Sequence, residues 1–149
     1  MKYFVDSSFI VSLFKRTDSN HELAKEHVDI IDNNDCYITN GILLEVITIL
    51  MKKTKDNSIV KLAYAYLVDN FIIVNEYNIK HYNNEVMELF LKYNNNDFKV
   101  SFVDCSSIVI SDHYHLDCVV SFDKGFKLFD AIKLYSFENT PDNHQMKLQ

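Results

Sequence analysis

Lys2-Tyr-Phe-Val-Asp6-Ser-Ser8-Phe-Ile-Val-Ser-Leu-Phe14 decides how the rest of the chain is read. Tyr3 to Val5 is a short apolar run that drops into Asp6. Beyond it Phe9, Ile10, Leu13 and Phe14 recur at helical spacing. The pattern predicts a buried first strand, a tight turn and a first helix, with Asp6 at the carboxyl end of the strand. Open α/β sheets bind ligands at that end. Aspartate is also a good helix N-cap, so the position serves either role, and the later residues that could meet Asp6 must decide.

Working outward, Ser19-Asn-His-Glu22 fits a capping box opening a helix through Leu23, His27, Val28 and Ile31. Cys36-Tyr-Ile38 reads as a second strand. Thr39 or Asn40 caps a helix from Gly41 to about Lys55. Its first part, Ile42 to Met51, is apolar almost all round, which predicts a central helix. A helix over 57–69, a strand over 71–74 and an amphipathic helix over 78–93 follow. Ser101 caps a helix to about His113, with Asp104 in its first turn. Cys118 to Phe122 is a fourth strand, Phe126 to Phe129 a short turn or helix, and Ile132 to Phe137 a fifth strand. Strands alternating with helices predict an α/β fold with a parallel sheet covered on both faces.

The chain has 149 residues, 48% of them hydrophobic, with only one proline and two glycines. We expect one domain over 1–138 and a polar C-terminal tail over 139–149. Three cysteines, Cys36, Cys105 and Cys118, at no paired short spacing argue against a disulfide framework or a zinc knuckle. No apolar run of about 18 residues suggests a membrane span. The start of the chain, with Asp6 inside its first apolar stretch, makes a poor signal peptide. A cytoplasmic protein is expected. The net charge of −6 is the main argument against nucleic-acid binding, since nucleic-acid-binding proteins usually carry basic patches. Carboxylates gathered around a divalent cation would account for part of it, and the cation reverses the local sign.

Four acids stand apart: Asp6 and Asp123 at strand ends, Glu45 in the apolar part of a helix, and Asp104 at a helix start. Each has a bland explanation. Asp104 complements the helix dipole, and Asp123-Lys-Gly125 is a plausible turn. Glu45 is harder to explain away. Ile42 and Ile49 flank it one turn to either side, and Lys52, Lys53 and Lys55 lie too far along to be its i+4 partner. A carboxylate on such a stripe is costly unless it is paired or binds a cation. If the four converge, hard oxygen ligands select Mg2+ or Mn2+ over zinc. Several carboxylates around such ions suit phosphodiester hydrolysis.

The set resembles the PIN-domain ribonucleases, above all the small VapC-like toxins, over nearly the whole chain. Asp6 and Ser8 match that family's strand-end Asp-Ser/Thr motif. Ile42-Leu-Leu-Glu45-Val-Ile matches its helical glutamate, and Phe102-Val-Asp104-Cys-Ser its third acid. Ser121-Phe-Asp123-Lys-Gly-Phe126 matches its Thr/Ser-x-Asp-x-x-Phe motif, with serine where threonine is common. The resemblance implies a three-layer fold with a mostly parallel five-stranded sheet flanked by helices. It implies catalytic metal ligands at Asp6, Glu45, Asp104 and Asp123, and supporting roles for Ser8 and Ser121. It further implies an RNA substrate, an antitoxin protein partner and a homodimer.

Two alternatives stand beside it. One is a non-catalytic PIN-fold module that binds RNA or protein. The other is a receiver or haloacid-dehalogenase-type phosphatase, which wants a second acid next to the first-strand aspartate, where this chain has Ser7 and Ser8. His113-Tyr-His115 reads as helix-terminal chemistry. Lys15, Arg16, Lys124 and Lys127 flank the acids in sequence and are candidate phosphate contacts. The aromatic residues fall mostly at helix-core spacing.

Overall fold

A computed structural model describes residues 1–137. The expected tail over 139–149 lies outside the described residues. In chain order the elements are β1 (Lys2–Val5), α1 (Ser7–Phe14), α2 (His21–Glu26), α3 (Asp29–Asn33), β2 (Asp35–Thr39), α4 (Asn40–Thr54) and α5 (Asn57–Asn70). There follow β3 (Ile72–Val74), α6 (Tyr82–Tyr93), α7 (Phe102–His113), β4 (Cys118–Val120) and β5 (Lys133–Leu134). Short 3-10 turns cover Glu76–Asn78 and Lys124–Leu128.

The five strands form one sheet in the order β3-β2-β1-β4-β5. The sequence predicts a mostly parallel sheet, and every pairing is parallel. With the flanking helices this is the expected three-layer α/β fold. Phe4, Val5, Val119 and Val120 have no exposed surface, as strands covered on both faces require. After β1 the chain turns to β2 on one side, and β4 later pairs on the other. The switch point therefore falls between β1 and β4, where open α/β sheets form their ligand crevice. Register sets what meets there. Val5 lies beside Val120, so the next residues, Asp6 and Ser121, leave the sheet side by side.

Several elements depart from their sequence patterns. Helix α4 buries one stripe, Ile42, Val46 and Leu50, while Leu44 is 68% and Met51 41% exposed. It is a one-sided helix with apolar residues left in solvent. The helix expected over 19–31 is two helices, with Asn20 rather than Ser19 at the first N-cap position and no side-chain cap. Asp18 accepts the Asn20 N–H at 2.9 Å in place of the expected box. The break falls at His27, which is buried with Nδ1 2.9 Å from the Tyr135 hydroxyl. Helix α6 starts at Tyr82 rather than Asn78, because His81 takes a left-handed conformation (φ 61°) between the 3-10 turn and the helix. Strand β4 stops at Val120, and the Phe122 N–H donates to Ser8 Oγ at 3.0 Å instead of continuing the ladder.

Candidate active site

Asp6 is both an N-cap and a buried acid. It caps α1 by accepting the Ser8 N–H at 3.4 Å, and only 5% of its surface is exposed. Its Oδ2 also lies 2.9 Å from Ser8 Oγ and 2.8 Å from Ser121 Oγ. Counting protons orders this network. Ser8 Oγ accepts the Phe122 N–H, and Ser121 Oγ accepts the Asp123 N–H at 2.9 Å. Each hydroxyl has one proton to give. Both go to Asp6, and the 3.1 Å approach of the two serine oxygens is a consequence of their shared acceptor. Three donors on one oxygen, the Ser8 N–H and the two hydroxyls, favour the ionised carboxylate. Burial pushes the Asp6 carboxyl above its ordinary range, and the Ser121 and Ser8 hydroxyls pull it back.

Glu45 is presented by α4, whose first turn is fixed twice. Thr39 Oγ1 caps the Ile42 N–H at 3.1 Å, and Glu76 accepts the Asn40 and Gly41 N–H groups at 3.1 and 2.9 Å. Glu45 Oε2 is buried with no hydrogen-bond partner. Burial, and then the neighbouring Asp6 charge, raise its pKa, against a bond from the Ser7 side chain. Asp104 sits at the third position of α7 in a capping box: Ser101 Oγ accepts the Asp104 N–H at 3.0 Å, and Asp104 Oδ2 accepts the Ser101 N–H at 3.3 Å. Burial drives its carboxyl up to about 6 against the Ser101 bonds, with the Asp123 and Asp6 charges adding to the rise. Asp123 is exposed and caps the 3-10 turn, its Oδ1 accepting the Gly125 N–H at 2.8 Å.

All four acids named from the sequence line one cavity of about 380 Å³, together with Ser8. Ser121 reaches it through Asp6. The donor set is hard oxygen, and the buried Glu45 Oε2 has no hydrogen-bond partner, so the residues fit a divalent cation such as Mg2+ or Mn2+. As the side chains stand, no three acids, histidines or cysteines among the described residues are gathered tightly enough to share one ion. Side-chain rotation would have to close the cluster.

Phe98 and Lys99 also line the cavity, and neither belongs to a motif that the sequence singles out. The signal available was an aromatic and a basic residue, side by side in the polar break before the Asp104 helix. None of Lys15, Arg16, Lys124 and Lys127 lines this cavity. Lys124 and Lys127 line a neighbouring one of about 660 Å³. His113 pairs with Glu85 at 2.7 Å, tying the end of α7 to α6.

The PIN domain family profile matches residues 3–132, and the chain belongs to that family. Solved structures share its fold. The Mycobacterium tuberculosis toxin VapC20, described as cleaving the sarcin-ricin loop, superposes with a TM-score of 0.71 at 19% identity, over 85% of this chain and 93% of that one. A chain of VapBC2 from Rickettsia felis, bound to a DNA fragment from its promoter, gives 0.68 at 14% identity, over 91% and 98%. A toxin–antitoxin complex from Klebsiella pneumoniae gives 0.57 at 16% identity, over 87% and 94%. Comparison with curated proteins finds no match.

Proposed function

We propose that the chain is a divalent-metal-dependent endoribonuclease and the toxin of a toxin–antitoxin pair. The observation that carries this reading is the shared cavity of Asp6, Glu45, Asp104 and Asp123 at the β1/β4 switch point. Those four carboxylates would hold the Mg2+ or Mn2+ ions, which when bound supply Lewis acidity toward a phosphodiester. The chain's own residues set the stage. Ser8 and Ser121 donate to Asp6, which offsets part of the cost of burying its charge, and fix its orientation. Glu45 offers a desolvated oxygen with no competing donor. The Ser101 box aims Asp104 inward, and Asp123 stands at the rim.

Residues 1–138 would act as one cytoplasmic domain, and among the described residues no helix is long and apolar enough to cross a membrane. Leu44, Leu62, Tyr64 and Val68 on α4 and α5 are each 46–68% exposed, and such apolar faces suit an antitoxin or a second copy of the chain.

The test is cleavage of RNA by purified protein with Mn2+ or Mg2+, beside Asp6→Asn and a chelator control. Cutting that needs the metal and is lost in Asp6→Asn is the expected result. Cutting unaffected by either overturns the site. A second reading, a non-catalytic module that binds RNA or protein, has one observation in its favour: the carboxylates as placed do not converge on one ion. Titration calorimetry with Mn2+ separates the two, since the module predicts no heat that depends on Glu45 or Asp104.

A further inference from the structure

Resting on the ribonuclease reading, we propose that the loop between α6 and α7 is the substrate grip of this cavity. Phe98 stacks on an unpaired base and Lys99 contacts the neighbouring phosphate. Phe98 is 73% exposed and lines the acid cavity. Lys99 is the one basic residue among those lining it, and its amine is in no ion pair among the described residues.

The loop holds this pair in place. Asn94, at the end of α6, accepts the Lys99 and Val100 N–H groups on Oδ1 at 2.7 and 3.0 Å. Its Nδ2 donates to the Phe90 and Val100 carbonyls, each at 2.9 Å. Asn96 makes the turn in the left-handed region (φ 58°). Val100, 1% exposed, anchors the far end in the core. On the other side the Lys99 carbonyl lies 3.9 Å from the Cβ position of Gly125, beside the turn that carries Asp123. Phe98 and Lys99 are therefore displayed on a pinned backbone next to the acids, and preorganised contacts lose less on binding.

The chemistry identifies the ligand. The net charge of −6 gives the chain no general hold on a phosphate backbone. An aromatic platform adds affinity without charge, because every base offers a π-face, and a lysine beside it holds the phosphate. A duplex keeps its bases stacked inside, so a single ring at the rim selects single strands or loops.

The experiment is fluorescence anisotropy with the full chain in Ca2+. The probes are a fluorescein-labelled single-stranded oligoribonucleotide of mixed sequence and the same strand annealed to its complement. Variants are Phe98→Ala, Phe98→Trp and Lys99→Ala. Tyr77→Ala serves as the control, since Tyr77 is 79% exposed and lines none of the cavities described above. Melting temperatures confirm that all fold. Phe98→Ala should weaken single-strand binding roughly fivefold or more while Phe98→Trp restores it. Lys99→Ala should flatten the salt dependence by about 0.7 in the logarithmic slope. Duplex binding and Tyr77→Ala should match the wild type. The grip is overturned if Phe98→Ala binds the single strand like the wild type, if Phe98→Trp is as weak as Phe98→Ala, or if the wild type binds neither probe. The expected binding pattern in a protein that never cleaves RNA with Mn2+ or Mg2+ would leave the grip standing and remove the nuclease.

Discussion

Asp6 and Ser121 stand 115 positions apart in the chain and meet at 2.8 Å, the serine hydroxyl donating to the buried carboxylate. The parallel register of β1 and β4 produces this contact, since each residue follows the last ladder pair of its strand. Ser121 also receives the Asp123 N–H, so among the four site acids one hydroxyl ties the most buried, Asp6, to the turn carrying the exposed one, Asp123.

Ser121→Ala should therefore act on both. A hydrogen bond to a charged group contributes about 1.5–3 kcal/mol, so we expect a melting temperature lower by roughly 3–10 °C and a marked loss of metal-dependent cleavage. Ser121→Thr keeps the hydroxyl and should retain both stability and cleavage. Thermal melts at neutral pH would detect this, and an alanine variant as stable as the wild type would mean the bond contributes nothing.

Glu45 contributes in the opposite sense. Its Oε2 is buried and unpartnered beside Asp6, and such a charge costs stability in the absence of a cation. Glu45→Gln should raise the melting temperature in chelator by a few degrees and abolish the stabilisation by Mn2+ that the proposed site predicts for the wild type. A lower melting temperature in chelator would show that Glu45 is not part of a repulsive cluster.

The site was legible where its signals are local. Asp6 follows an apolar run, Asp104 stands three residues after a serine cap, and Glu45 interrupts an apolar helix, so each could be read within a few positions. Their convergence came from strand alternation and from resemblance, and the structure places all four in one cavity. The aromatic and basic pair was not legible. Phe98 and Lys99 reach the cavity only because Asn94 folds the loop back on itself, and no periodicity records that. The break at His27 was hidden for a similar reason. Its imidazole is buried against Tyr135, a contact between residues far apart in sequence, while the local pattern still reads as one helix. In α4 the apolar count overstated burial, because hydrophobicity does not say which residues a neighbour covers.

Asp104 sets a pH dependence with a definite sign. Its carboxyl titrates near 6 in the fold, above the 3.8 of an unperturbed aspartate. The folded state then binds more protons than the unfolded one between those values, and stability falls as pH rises there. The stabilising share is complete below about 3.8 and gone above about 6. In chelator, Asp104→Asn should gain stability over the wild type as pH climbs through this window, with little difference at its acidic end. An unchanged gap between the two melting curves from acidic to neutral pH would show that Asp104 is not displaced from its ordinary titration. The same variant should lose Mn2+-dependent cleavage while remaining folded.

Gly125 tests the rim. A Cβ placed there would stand 3.1 Å from Asp123 Oδ1, the atom that accepts the Gly125 N–H. The glycine has no positive φ to defend, so what matters is room beside the carboxylate. Asp123 is exposed and can swing away. Gly125→Ala should therefore cost little stability, less than about 1 kcal/mol, while moving Asp123 and weakening divalent-ion binding severalfold by calorimetry. Gly125→Ala with unaltered ion affinity would place Asp123 outside the cation site and leave Asp6, Glu45 and Asp104 to hold it.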